Sequence, residues 1–477
     1  MRFMTTRMAL QSGVLIGLLF SSGLTPCIDR AEAQDPAPAE RPGAADHDQP
    51  AEADSSDATE PVRPRLGTWR AWLESPGGEL PFGLELDKDD RGRWRAWFIN
   101  GEERMVVPIV SLIDNGIILA VDYYDASIVG KVNEDGTRLE GEWKKRGRGE
   151  KWPKLPFHAT SGDAPRFPGD RDRKAGVDVS GRWDVKFSDS ETPAVGVFEQ
   201  KGDGLVTGTF LTPGGDYRFL AGDIRGNKLR LSAFDGAHAF LLPATVEAAA
   251  SGKPAVMTGD FWSGDSYHVT WTAQRSGGDA SAMEKGAEDA HLPEGFSAPD
   301  SEAKFSELLF KDLEGEKRVL SEPAFAGKAR IIEVFGTWCP NCSDAARHLA
   351  ELDARYRERG LSIVGLAFEY TGDFARDAKQ VQRFAAAHGV AYPLLIGGVA
   401  EKGAVASALP FLGDGVFAYP TTIFLDADGR VHAIHTGYVG PASPEDHRKL
   451  RQQFERIIEE LLLAADSEGM EQGDEEE

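Results

Sequence analysis

Cysteine is scarce in this chain. Of its 477 residues only Cys27, Cys339 and Cys342 carry a thiol. A secreted scaffold stapled by disulfides would hold more, at scattered spacings. A zinc site is excluded as well, because Cys339-x-x-Cys342 has no second ligand pair and no histidines stand at zinc-finger spacing. Long apolar runs are also lacking. The stretch from Met8 to Leu24 is short of the ~20 residues that cross a bilayer. Positive charge is outnumbered, with 53 Lys and Arg against 77 Asp and Glu, a formal net charge of −24. That balance argues against nucleic acid and anionic membrane surfaces as partners. No motif calls for a metal or another cofactor.

What is present falls into segments. Residues 1–33 read as a signal peptide. Arg2 and Arg7 precede the apolar stretch, and Ala31-Glu32-Ala33 forms a small-x-small cleavage site. The protein is therefore expected in the periplasm or outside the cell, or tethered to the membrane if the leader is not cleaved. Cys27 is a poor lipidation site, since Pro26 stands where a small residue is wanted. Residues 34–64 are rich in Ala, Pro, Asp and Glu and are expected to be a disordered acidic linker.

Residues 65–162 and 177–275 each show short alternating strands with turn signals, the pattern of an antiparallel β module of barrel or sandwich type. The second resembles a copy of the first. Gly67-Thr68-Trp69 matches Gly181-Arg182-Trp183, Leu80-Pro81-Phe82-Gly83 resembles Pro193-Ala194-Val195-Gly196, and Gly141-Glu142-Trp143 matches Gly259-Asp260-Phe261. Their tryptophans stand at strand spacing, which favours core over cavity lining. Residues 276–294 read as a linker. In residues 295–465 strands alternate with helices, as in an α/β layer fold, and helices are expected over Ser343–Arg359, Asp373–His388 and Pro444–Leu463. Residues 466–477 form an acidic tail that is expected to be disordered.

The chemistry concentrates where an apolar strand, Ala329–Phe335, leads through Gly336-Thr337-Trp338 into Cys339-Pro340-Asn341-Cys342 at the start of a helix. A thiolate is the nucleophile of thiol chemistry, and a helix N-terminus favours that anion. The second cysteine lies one turn in, placed to resolve a mixed disulfide.

These residues carry a resemblance. The stretch from Phe296 to Leu463 resembles the TlpA/ResA-like thioredoxin family of extracytoplasmic disulfide reductases, through Trp338-Cys339-Pro340-Asn341-Cys342 and Tyr419-Pro420-Thr421-Thr422-Ile423-Phe424-Leu425-Asp426. The resemblance implies an α/β thioredoxin-fold domain, so with the two tandem antiparallel β modules read from the strand pattern the chain is expected to be multidomain. It implies a thiol–disulfide oxidoreductase with catalytic Cys339 and Cys342, which form its redox-active disulfide. It implies a cis Pro420 facing the pair, with Tyr419 and Pro420 meeting an extended substrate segment. Glu333 stands where thioredoxins bury an acid beneath the pair, to take the Cys342 proton. Trp338 and Pro340 support the site, Trp338 by shielding the thiol. Neutral Asn341, where a strong oxidant carries histidine, favours a reductant. The implied partners are a protein disulfide substrate and a membrane-bound thiol donor. Many relatives carry an acid three positions after the second cysteine, where this chain has Ala345 beside Asp344.

Other features read as structural. His348, His432 and His435 are expected at the surface, and Asp87-Lys88-Asp89-Asp90 as a solvated turn rather than a calcium loop. A peroxidase is disfavoured, because Thr337 is two positions before Cys339 rather than three. The alternative reading is a cell-envelope ligand-binding or interaction protein, in which the β modules act and the redox domain is accessory.

Overall fold

Alternating burial along the first strands builds the N-terminal sheet. Trp69, Ala71 and Leu73 point inward while Thr68, Arg70 and Trp72 lie outside or at the rim. The computed structural model describes residues 61–169, 174–250, 253–276, 308–410 and 418–474. The expected leader and nearly all of the acidic linker and of the 276–294 linker lie outside the described residues. The described residues belong to one compact unit.

The first sheet comprises β1 (Gly67–Ser75), β2 (Gly78–Lys88), β3 (Trp94–Asn100), β4 (Glu103–Val107), β5 (Ile109–Ile113), β6 (Gly116–Val121), β7 (Ala126–Val132), β8 (Arg138–Lys145) and β9 (Lys154–Ser161). Its order is β4-β3-β2-β1-β9-β8-β7-β6-β5. The ring is open only between β4 and β5, which meet at Pro108, a residue with no N–H to donate.

The second sheet comprises β10 (Gly181–Phe187), β11 (Ala194–Gln200), β12 (Leu205–Thr212), β13 (Gly215–Asp216), β14 (Leu220–Arg225), β15 (Lys228–Phe234), β16 (Ala239–Glu247), β17 (Val256–Ser263) and β18 (Tyr267–Arg275). Here β12 pairs with both β11 and β14, so the barrel closes and leaves no long edge.

The two barrels repeat strand for strand. Trp69 Nε1 donates to the Arg65 carbonyl at 3.0 Å, and Trp183 Nε1 donates to the Val179 carbonyl at 2.9 Å. One expected match is corrected. Trp69 pairs with Leu84, whereas Trp183 pairs with Gly196. Gly196 therefore corresponds to Leu84, not Gly83, because a one-residue slip would turn every side chain to the opposite face. The barrels join around Phe234, whose ring lies 4.3 Å from Phe82 and 4.9 Å from Phe98.

The C-terminal sheet holds β19 (Leu309–Asp312), β20 (Lys317–Val319), β21 (Ala329–Phe335), β22 (Leu361–Glu369), β23 (Leu394–Val399), β24 (Thr421–Leu425) and β25 (Val431–Thr436), in the order β20-β19-β23-β22-β21-β24-β25. β21, β22 and β23 run parallel, and β24 returns antiparallel beside β21. The helices are α1 (Pro340–Tyr356), α2 (Phe374–His388), α3 (Ala404–Ala408) and α4 (Pro444–Asp474). Leu349, Val381 and Phe454 cover one sheet face, while Val405 and Leu409 cover the other. The acidic tail expected from Asp466 is instead helical as far as Asp474. Once a helix is nucleated, each further residue adds a hydrogen bond at little cost.

Candidate active site

β21 delivers the chain to the site. It lies between two partner strands and is apolar on both faces, so Glu333 at its centre has no exposed surface. The strand ends at Phe335 and α1 begins at Pro340, with Cys339 as its N-cap. Proline suits this first helical position, where no N–H is needed. The Cys342 amide donates to Cys339 Sγ at 3.4 Å. The outer sulfur thus sits on the positive end of α1.

Both cysteines are thiols in this structure, but their surroundings differ. Cys339 keeps 8% of its surface and Cys342 none. Burial pushes the Cys342 thiol well up, and the hydrogen bond and charge of Cys339 add to that, as does Glu333. Burial also pushes the Glu333 carboxyl up to about 8, against the lowering effect of the Tyr392 hydrogen bond. Glu333 Oε2 accepts that bond at 2.7 Å, while Oε1 has no hydrogen-bond partner.

The pairing of β24 with β21, Thr421 opposite Val334, brings the preceding loop to the cysteines. The Tyr419–Pro420 peptide is cis, and the Cys339 thiol donates to the Tyr419 carbonyl at 3.4 Å. Trp338 donates its Nε1 to the Phe368 carbonyl at 2.9 Å. Its ring stacks on Tyr370 at 4.6 Å and meets Tyr419 edge-on at 5.1 Å. The buried Thr337 donates its amide and hydroxyl to Glu369 at 2.9 and 2.8 Å.

Comparison with known proteins bears on this geometry. A family model described as Redoxin matches residues 293–452. The thioredoxin-like protein YneN of Bacillus subtilis (strain 168) is 31% identical over 146 residues, covering 31% of this chain and 73% of that protein. The thiol-disulfide oxidoreductase ResA of Bacillus thuringiensis (strain Al Hakam) is 30% identical, covering 31% of this chain and 78% of its own. The chain belongs to the TlpA/ResA-like thioredoxin-fold family. It is a thiol–disulfide oxidoreductase. A thioredoxin-family thiol:disulfide interchange protein from Chlorobium tepidum TLS has a solved structure that is 21% identical and covers 32% of this chain and 92% of that one, with a TM-score of 0.25.

The Redoxin match at residues 293–452 does not extend to the barrels, yet they build on the site. Asn341 Nδ2 donates to the Asp216 carbonyl at 3.1 Å, and the Gly440 amide donates to Asp216 Oδ2 at 2.7 Å. This approach requires Gly215. Its φ is +116°, and a Cβ there would fall 2.2 Å from Asn341 Nδ2. Tyr124 donates its hydroxyl to Ser343 Oγ at 3.0 Å. The buried Arg218, at φ +61°, pairs with Asp344 of α1, with Asp235 at 3.3 Å and with Glu103 at 3.5 Å. Asp344 also pairs with Arg347. Burial works against the Asp344 anion, but Arg218 and Arg347 hold its carboxyl below the usual range. Burial raises Glu103 to about 7 and Asp216 to about 6, against Arg218.

Sequence reasoning missed Arg218, Asp216, Tyr124 and Tyr392, none of which stands in a motif. Two histidine expectations are corrected. His348 is only 1% exposed, with its ring 5.5 Å from Phe454 and 6.0 Å from Tyr438. His435 is buried against Phe454 at 5.4 Å, whereas His432 is exposed. Both corrections have one cause, because Phe454 of α4 covers both rings, on a helix face and a strand face that local pattern leaves open to solvent.

Proposed function

We propose that this protein is an extracytoplasmic reductant of protein disulfides working through Cys339 and Cys342. The observation that carries the reading is the unlike setting of the two sulfurs. One lies at a helix N-terminus with an exposed edge, and the other is fully buried above a carboxyl pushed up to about 8.

The Cys339 thiolate attacks one sulfur of a substrate disulfide. That S–S bond breaks, and the second substrate sulfur leaves as a thiolate and takes up a proton. Cys339 is then joined to the substrate by a mixed disulfide. Cys342 gives its proton to Glu333 and attacks the Cys339 sulfur, the Cys339–substrate S–S bond breaks, and the released thiolate takes up a proton, so that the substrate departs as a dithiol carrying two electrons. The enzyme is left with a Cys339–Cys342 disulfide. Glu333 suits its part because a proton acceptor works best when its pKa lies near the operating pH. An extended substrate segment would lie along the backbone at Tyr419, where Pro420 offers no competing N–H. Two electrons and two protons must then return from a thiol donor, for which a membrane-bound dithiol protein fits an extracytoplasmic location. The leader-like residues 1–33 support that location, and Asn341 supports the direction.

The test is the reduction potential of the pair in the mature protein, equilibrated in thiol buffers. A value near that of thioredoxin, about −270 mV, is expected. A value near −120 mV, as in a strong oxidant, would reverse the direction. A pair that does not cycle would end the redox reading.

A further inference from the structure

One short stretch runs against the charge of the whole chain. Between Lys144 and Lys154 the sequence carries six cations, Lys144, Lys145, Arg146, Arg148, Lys151 and Lys154, and one acid, Glu150. The chain as a whole has a net charge of −24. The stretch forms the hairpin joining β8 to β9 and is well ordered. The Lys145 amide donates to the Pro153 carbonyl at 3.1 Å, and the Gly147 amide donates to the Lys151 carbonyl at 2.9 Å. The exposed Trp152 ring is flanked by Arg146 at 4.5 Å and Lys144 at 5.6 Å.

Part of this charge is matched within the fold. Arg146 pairs with Asp125 at 3.5 Å, and Lys154 with Glu142 at 3.1 Å. Lys145, Arg148 and Lys151 make no ion pair among the described residues. Arg148 lies at the redox centre. The Arg148 guanidinium is 5.9 Å from the Tyr370 ring, Tyr370 stacks on Trp338, and Trp338 adjoins Cys339. The redox domain's own rim on this side, Trp338, Tyr370 and Tyr419, is aromatic and uncharged.

We infer that the β8–β9 hairpin selects disulfide substrates whose cysteine is flanked by acidic residues. This rests on the disulfide-reductase reading above. The aromatic rim takes the extended backbone whatever its sequence, while Arg148 beside Tyr370, with Lys151 across the same hairpin, draws in acidic side chains. Such attraction acts chiefly on encounter and on choice among partners.

The experiment uses the full mature chain and three disulfides. Two are peptides identical except that Asp and Glu, or Lys, flank the cysteine, and the third is neutral hydroxyethyl disulfide. The expected result is a kcat/KM about tenfold higher for the acidic peptide than for the basic one in 0.01 M salt, a modest sum of a few exposed charge pairs. In 1 M salt the screening length falls from ~30 to ~3 Å, and the ratio should approach one. In R148E/K151E the ratio should invert. Because it is measured within each protein, the ratio is insensitive to a general loss of activity, and K151E alone should lower it in the same direction. Equal rates in the parent, or an unchanged ratio in R148E/K151E, would overturn the inference while leaving the reductase reading intact. Failure to reduce hydroxyethyl disulfide as well would instead remove the reading beneath it.

Discussion

Glu333 and Asp344 are both buried carboxyls close to the cysteine pair, yet they hold opposite charge states. Glu333 has no exposed surface and Asp344 has 6%. Glu333 meets a neutral phenol and is pushed up to about 8. Asp344 meets two guanidinium groups and stays below the usual carboxyl range. At nearly equal burial, the partner decides. Glu333 is thereby left able to gain and lose a proton near neutral pH, as the proposed cycle requires. Asp344 is a fixed anion, and its use is mechanical, tying α1 to Arg218 of the second barrel. The acid two residues past the second cysteine is thus spent on docking.

Removing the cation is the most forceful way to break this comparison. R218M would strand Asp344, Asp235 and Glu103 without their shared partner in a buried site. Loss of one member of a buried ionic cluster typically costs about 3–5 kcal/mol. Denaturant unfolding of the full chain should show a loss of that order. It should be largest above pH 7, where Glu103 and Asp216, raised to about 7 and about 6, also carry charge. A loss below about 1 kcal/mol, the range of an exposed ion pair, would mean that the cluster is open to water and does not hold the barrels to α1.

E333Q probes the other side with a smaller effect on the fold and a larger one on chemistry. The proposed cycle predicts that the attack of Cys339 is spared while resolution by Cys342 slows by about 10²-fold, a typical contribution of a positioned proton acceptor. The mixed disulfide should then accumulate and be visible by mass spectrometry after acid quenching. Unchanged resolution would remove Glu333 from the mechanism. Stability carries an independent signature. The folded pKa of Glu333, about 8, lies above the ordinary carboxyl value. Between the two values the folded state holds a proton that the unfolded state has released. Its contribution is therefore full below pH ~4 and is lost as pH rises to about 8, with a slope of at most ~1.4 kcal/mol per pH unit. Glutamine cannot ionise, so E333Q should flatten that part of the profile.

The two acids also differ in how far they could be read from the sequence. Glu333 lies on the strand that leads to the C-x-x-C, six residues before Cys339, so pattern and resemblance both reach it. The helix from Asp373 and the strand at Thr421–Leu425 are local in the same sense, carried by a cap and by a run of β-branched and large apolar residues. Arg218 is different. Its acids come from positions 103, 235 and 344, on separate elements, and no spacing rule connects them. The barrels announce themselves by the repeated Gly-x-Trp and alternating burial. Whether a ring closes depends on β12 pairing with β14 in one module and on Pro108 in the other. The Gly83–Gly196 mismatch shows the same limit, since a match of letters does not set a strand's register. His348 and His435 were misread because their burial comes from α4, roughly a hundred residues after His348 in sequence.

A third contact separates docking from charge altogether. Tyr124, from the first barrel, donates to Ser343 Oγ, one residue past Cys342. Neither group is ionised in the working range, because burial raises the phenol well above its ordinary value. Y124F removes one neutral hydrogen bond and leaves the ring in place, which should cost about 1 kcal/mol. The loss should be independent of salt and of pH between 5 and 9, unlike that of R218M. Ser343 keeps a hydroxyl that lacks this donor, so Y124F/S343A should cost less than the two single changes summed. A strictly additive pair would show that the hydroxyls do not meet in solution. It would leave the Arg218 cluster, the Asp216 bonds to Asn341 and Gly440, and ion pairs such as Arg376–Asp125 among the contacts that hold the barrels over the cysteines.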